Sequence, residues 1–173
     1  MNTSLYDVTV KTYLQVLGGL ANVLEKGAAH AAGNDIDLGE LINYRLQEDM
    51  LPFKFQVIAT CHQGLGCIRG VQAGLFEPPP TIPGIDYAGL QTLVADTITE
   101  LKSLTEDEVN SLGDKDLTFK MGEMELPFQG EDFLLSFSLP NFYFHATTTY
   151  DMLRIKGTQL GKMDFLGAVR FKQ

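Results

Sequence analysis

The chain holds no tryptophan and only two cysteines in 173 residues. Two cysteines cannot frame a disulfide-rich fold. Cys61 and Cys67 lie six positions apart, which on a helix points them about 120° from each other and argues against an internal bridge. They read as free, buried thiols of a reducing compartment. Basic residues are also scarce, 13 against 22 acidic ones, for a formal net charge of −9. That balance argues against nucleic acid, whose phosphates need clustered Lys and Arg, and against an anionic membrane surface. The bland meaning of the charge, solubility, is preferred. No apolar run reaches the roughly 18 residues needed to cross a bilayer. The opening Met1-Asn2-Thr3-Ser4-Leu5 lacks the basic and apolar regions of a secretory leader. The expectation is a cytoplasmic chain without a membrane span. With no repeat, low-complexity tract or linker, residues 1–173 read as one domain.

What is present is helical periodicity. Leu14, Leu17, Ala21, Leu24 and Ala28 form a stripe, widened by Val10, Tyr13, Val16 and Leu20, that predicts one helix from about Leu5 to Ala32. Thr3 or Ser4 would cap it, and Gly33-Asn34 would end it. Asp37 to Gln47 reads as a short helix, with Asp37 and Glu40 set as a near capping box. Met50-Leu51-Pro52 forms a corner before a helix from about Phe53 to Ala73. The prolines at 78–80 and Pro83-Gly84 mark a surface crossing. Asp86 then caps a helix carrying Leu90, Leu93, Val94, Thr97, Leu101 and Leu104 on one face. Thr105 to Glu108 opens a further turn.

Residues 116–128 change period. Leu117, Phe119 and Met121 alternate with polar residues, as do Met124, Leu126 and Phe128, with Gly122-Glu123 between them suited to a type II′ turn. The reading is a β-hairpin laid on the helices. A last long helix follows from about Glu131 to Gly157, with a kink expected at Pro140. Thr158 to Gln173 reads as an irregular tail. The fold class is therefore all-α, four main helices with a small β-hairpin inserted before the last long one.

The block Leu139-Pro140-Asn141-Phe142-Tyr143-Phe144-His145, then Thr147-Thr148-Thr149-Tyr150, Leu153-Arg154, Gly157, Leu160-Gly161 and Asp164-Phe165-Leu166-Gly167, resembles the signature of the DUF1993 family. Asp49-Met50-Leu51-Pro52 with Gln56-Val57 resembles its second signature. That family is similar in turn to the DinB-like bundles, which implies an antiparallel DinB-like four-helix bundle. Many DinB-like proteins hold a divalent metal such as zinc or nickel on three histidines, one on the second helix and two on the last, four residues apart. Aligned on Leu153-Arg154-x-x-Gly157, His145 falls on the second histidine of that pair, Asn141 on the first and Gln56 on the helix-two position. The resemblance thus keeps one metal ligand of three.

Asn141 and His145, four apart, project from one helix face, with Thr148 and Thr149 a turn further on. Carbonyls left unpaired by Pro140 could face the same way. The functional reading is a ligand pocket of Gln56, Asn141, His145, Thr148 and Thr149. The structural reading is a satisfied buried network. As a metal site the set is poor, one imidazole with two neutral amides. His62 lies about 120° from Gln56 on a helix and cannot join it. Gly64, Gly66 and Gly70 lack phosphate-loop spacing and read as small residues that let helices approach. Tyr44, Arg45 and Asp49 either brace the corner or line a cleft mouth.

Two functional readings follow. One is a non-catalytic, homodimeric module with a possible small-molecule ligand and no metal cofactor, since Phe142, Tyr143 and Phe144 exceed what one helix face can bury. The other is a divergent metal-dependent transferase or hydrolase that uses His145.

Overall fold

The computed structural model describes residues 3–172. Ser4 starts the first helix. Its hydroxyl accepts from the Asp7 amide while the Asp7 carboxylate accepts from the Ser4 amide, which satisfies two otherwise free donors. The predicted first helix is broken: α1 spans Leu5–Val8 and α2 spans Val10–Gly33. Between them the Thr9 hydroxyl donates to the Leu5 carbonyl at 2.6 Å, competing with the backbone ladder. The short α3 (Leu38–Asn43) stops four residues before the expected Gln47, because Tyr44 is already extended. Asp37 caps it through the Gly39 amide alone, rather than as a full box with Glu40.

The helix expected over 53–73 is three pieces: α4 (Phe53–Cys61), a π-helical turn π1 (His62–Gly66) and α5 (Cys67–Ala73). After Gly74, in the left-handed conformation, comes a two-residue strand β1 (Leu75–Phe76) absent from the sequence reading. Asp86 caps α6 (Tyr87–Ser103), and Thr105 builds a capping box for α7 (Glu106–Asn110). The hairpin is β2 (Asp116–Met121) and β3 (Met124–Gln129), paired antiparallel with Leu117 opposite Phe128. Gly122 has φ +60° while Glu123 does not enter positive φ, the pattern of a type II′ turn. Because β1 adds parallel to β2, the hairpin becomes a three-stranded sheet. Leu117 and Phe119 are buried on it, but Met121, Met124 and Leu126 at its free end are exposed.

The last helix is also composite. It runs through α8 (Gly130–Asp132), a second π turn π2 (Phe133–Ser138) and α9 (Leu139–Ile155). The irregularity expected at Pro140 thus lies one turn earlier, as a widened π turn in which the Leu139 amide reaches back to the Leu134 carbonyl. The tail contains a further short helix, α10 (Lys162–Leu166).

The long segments pack in a closed circuit: α2 against α6 and α9, and α4 against α6 and α9. The core between them holds Tyr13, Leu17, Leu20, Leu24, Phe53, Ile68, Leu90, Leu101, Phe133 and Phe142, all fully buried. Gly64 gives room to the Phe142 ring of α9 and the Tyr13 ring of α2, so helices approach there as expected, whereas Gly70 gives room to Phe76 of β1. Cys61 and Cys67 are free and buried; burial pushes the Cys61 thiol up to about 12 and Cys67 further. Among the described residues no helix is long and apolar enough to cross a membrane.

Candidate functional site

The corner before α4 is built by backbone capture. The Phe53 amide donates to the Tyr44 carbonyl at 2.8 Å, and the Arg45 guanidinium donates to the Met50 carbonyl. Tyr44 and Arg45 therefore brace the corner, and Tyr44 also lines a surface cleft with Lys156, whose ammonium sits 3.8 Å from its ring centre. Pro52 follows as the cap residue of α4, one position ahead of the first turn. Gln56 lies one turn in, only 2 % exposed. Its amide nitrogen donates to the Leu51 carbonyl at 2.9 Å, which fixes the amide's orientation.

The same orientation aims Oε1 of Gln56 at α9. There it meets Nδ1 of His145 at 2.8 Å. An amide oxygen only accepts, so Nδ1 carries the hydrogen and Nε2 keeps a lone pair. Burial holds His145 down to about 4, so the ring is neutral at physiological pH. Phe55 and Phe144 stand edge-on to it, with ring centres 5.8 and 5.3 Å away. Nε2 makes no hydrogen bond, and among the described residues no buried side-chain nitrogen or oxygen lacks a partner, so Nε2 reaches solvent.

The other three predicted site residues turn away. Asn141 donates its amide to the Phe137 carbonyl at 2.7 Å, four residues back on its own composite helix. Thr148 and Thr149 donate to the Phe144 and His145 carbonyls at 2.7 and 2.9 Å, each within its own helix. The structure thus brings together Gln56 and His145 alone. His62 donates Nε2–H to the Glu77 carbonyl and stacks on Phe76, while His30 bonds Asn34 and the Lys156 carbonyl.

A buried chain that the sequence reading missed joins the two π turns. The Ser138 hydroxyl donates to the Gln63 carbonyl, so the Tyr13 hydroxyl donates to Ser138, at 2.6 Å. The Cys67 thiol donates to the Gln63 side chain at 3.2 Å. Only the helix-breaking Pro140 and the three nearby glycines hinted at irregular turns there.

The chain is mostly helical, with a polar contact between its second and last long segments. It is similar to a crystal structure of a DinB family member protein from Shewanella denitrificans, with a TM-score of 0.78 and 28% identity over 98% of this chain and 95% of that one. The chain belongs to the DUF1993 family, a domain of unknown function, whose model matches residues 5–166. No functionally curated protein matches it.

The divalent metal implied by the DinB resemblance does not fit the donor set. Both ends of the Gln56 amide are engaged and the Asn141 amide nitrogen is committed to Phe137, which leaves Nε2 of His145 and the neutral Oδ1 of Asn141, one imidazole and one amide oxygen, too few for a divalent site. Among the described residues no three His, Cys, Asp or Glu side chains converge as a ligand group.

Proposed function

We propose that this chain is a non-catalytic, DinB-like antiparallel four-helix bundle that acts as a cytoplasmic homodimer. The direct bond between Gln56 and His145 carries this reading, because it joins the two positions that a metal would otherwise bridge. Tyr143 and Phe144 support the dimer. They are 43 % and 56 % exposed beside the fully buried Phe142, an apolar surface that a second copy would cover. Free thiols at Cys61 and Cys67 support the reducing compartment. A small molecule at this site would meet Nε2 of His145 and so would offer a hydrogen-bond donor framed by aromatic edges.

The test is metal content of the purified, untagged protein by mass spectrometry, before and after incubation with zinc, nickel and manganese, paired with light scattering. Substoichiometric metal, unchanged in His145→Ala, together with a dimeric mass is expected. Near-stoichiometric metal lost in His145→Ala would overturn the non-catalytic reading in favour of a metal-dependent transferase or hydrolase. A strictly monomeric mass would remove the dimer.

A further inference from the structure

A second site shares no residue with the Gln56–His145 pair. Between the α4–π1 segment and α6 runs a cleft of about 270 Å³. Ile58 and Leu65 line it from one side, Leu93 from α6, and Ile82 from the proline-rich crossing above. That lining suits the apolar body of a small molecule.

The polar groups of this cleft are nearly all acceptors. His62 gives its Nε2–H to the Glu77 carbonyl at 2.8 Å, so Nδ1 holds a lone pair. Burial lowers the affinity of this ring for a second proton. Nδ1 has no hydrogen-bond partner and therefore reaches solvent. It stays uncovered because residue 66 is glycine: a Cβ there would stand 2.7 Å from Nδ1. The Thr97 hydroxyl spends its hydrogen on the Leu93 carbonyl at 2.7 Å. Arg69, the one cation of the lining, is paired with Glu100. Asp96, one turn before Glu100 on α6, is exposed and makes no ion pair among the described residues.

Asp96 also borders a second cleft, of about 500 Å³, which shares Ile82 and Leu93 with the first. The unpaired carboxylate therefore stands where two apolar hollows meet. The long-range field of a chain with net charge −9 favours a cation there as well.

We propose that this cleft binds a small hydrophobic amine, with its ammonium on Asp96 and its apolar body among Ile58, Leu65, Ile82 and Leu93. An ammonium brings only donors, which complements a lining that offers mainly acceptors. A carboxylic acid of the same shape would meet Asp96 with like charge.

Three probes with one apolar body test this: 4-phenylbutylamine, 4-phenylbutan-1-ol and 4-phenylbutanoate, each titrated into the full-length protein and followed by calorimetry and amide chemical shifts. The expected order is amine, alcohol, acid, with the amine at least about fivefold tighter than the alcohol, as a charge-assisted contact at a partly exposed site would give. Asp96→Asn should bring the amine down to the alcohol's affinity and leave the alcohol unchanged. That carboxylate is exposed, so the variant keeps its fold. Leu93→Trp, which fills the hollow, should abolish binding of amine and alcohol alike, with shifts lost at Ile58 and Leu65. Equal affinity of amine and alcohol, an amine preference that survives in Asp96→Asn, or no binding of any probe would each overturn the proposal.

Discussion

His145 and Gln56 lie 89 positions apart in sequence and 2.8 Å apart in space, Nδ1–H to Oε1, across the contact between α4 and α9. Each fixes the other: the amide sets the tautomer, and the imidazole holds the amide that clasps Leu51. Gln56→Leu keeps the volume but leaves a mostly buried N–H without an acceptor. It should cost about 2 kcal/mol in urea unfolding, the usual scale for an orphaned polar group. Gln56→Glu keeps an acceptor and adds a charge. There the His145 titration, followed through its ring carbon proton by NMR, should move up from about 4. An unmoved titration would mean that the two side chains do not touch in solution.

Stability should fall on mild acidification. The folded-state value of His145 is depressed from 6.5 to about 4 by burial, so between those values the unfolded chain binds the extra proton. The contribution is complete above pH 6.5, shrinks as pH drops toward 4, and does not change further below that. Discounted for solvent screening, it amounts to about 1–2 kcal/mol. His145→Gln should flatten this slope without abolishing it, because burial lowers His62 as well. A separate loss below pH 4 belongs to Asp7 and Asp164, both held at about 2, the first by Lys11 and the second by Lys26. Urea midpoints measured across pH 3–8 separate the two windows.

The long helical segments and the hairpin were legible from spacing, and the nearness of Gln56 to His145 from the family resemblance. Period 3.6 marked the long segments, period 2 the strands, and the match to the family's signatures brought Gln56 opposite His145. That the Asn141 amide turns back to the Phe137 carbonyl, and that a π turn at Phe133–Ser138 precedes it, were not legible, because neither follows from local apolar spacing. Strand β1 is two residues long, and its existence is decided by pairing with Thr118 and Phe119, which no local window contains. Met124 and Leu126 alternate as buried residues would, yet the hairpin overhangs the helices and leaves them in water.

The signature Asp164-Phe165-Leu166-Gly167 acts as a clasp on α2. Asp164 accepts from Asn22 at 3.1 Å and Lys26 at 2.6 Å, and the Leu166 carbonyl accepts from Gln15 at 3.0 Å. Beneath it a Cβ on Gly19 would overlap the Phe165 carbonyl, and Gly167 has φ +63° against the same stretch of α2. Gly19→Ala should therefore release residues 161–167 rather than disturb α2. Hydrogen exchange is expected to rise in that segment while α2 stays protected, with a stability loss of about 1–3 kcal/mol. Uniformly faster exchange throughout the chain would show that the clasp supports the whole core.

Ser138 is the node of the buried chain between the two π turns, and the direction of its hydrogen bonds predicts an order of effects. Its single hydrogen goes to the Gln63 carbonyl, so it must accept from Tyr13. Ser138→Ala strands two fully buried groups, a phenol donor and a backbone carbonyl, and should cost about 3 kcal/mol. Tyr13→Phe removes a donor but leaves Ser138 still donating to Gln63, so only an acceptor lone pair goes unused, at about 1 kcal/mol. In the double variant the phenol is no longer stranded, and the loss should fall short of the sum of the two. Were the bond reversed, with Ser138 donating to Tyr13, Tyr13→Phe would orphan the serine hydrogen and the two single variants would come out alike in urea unfolding.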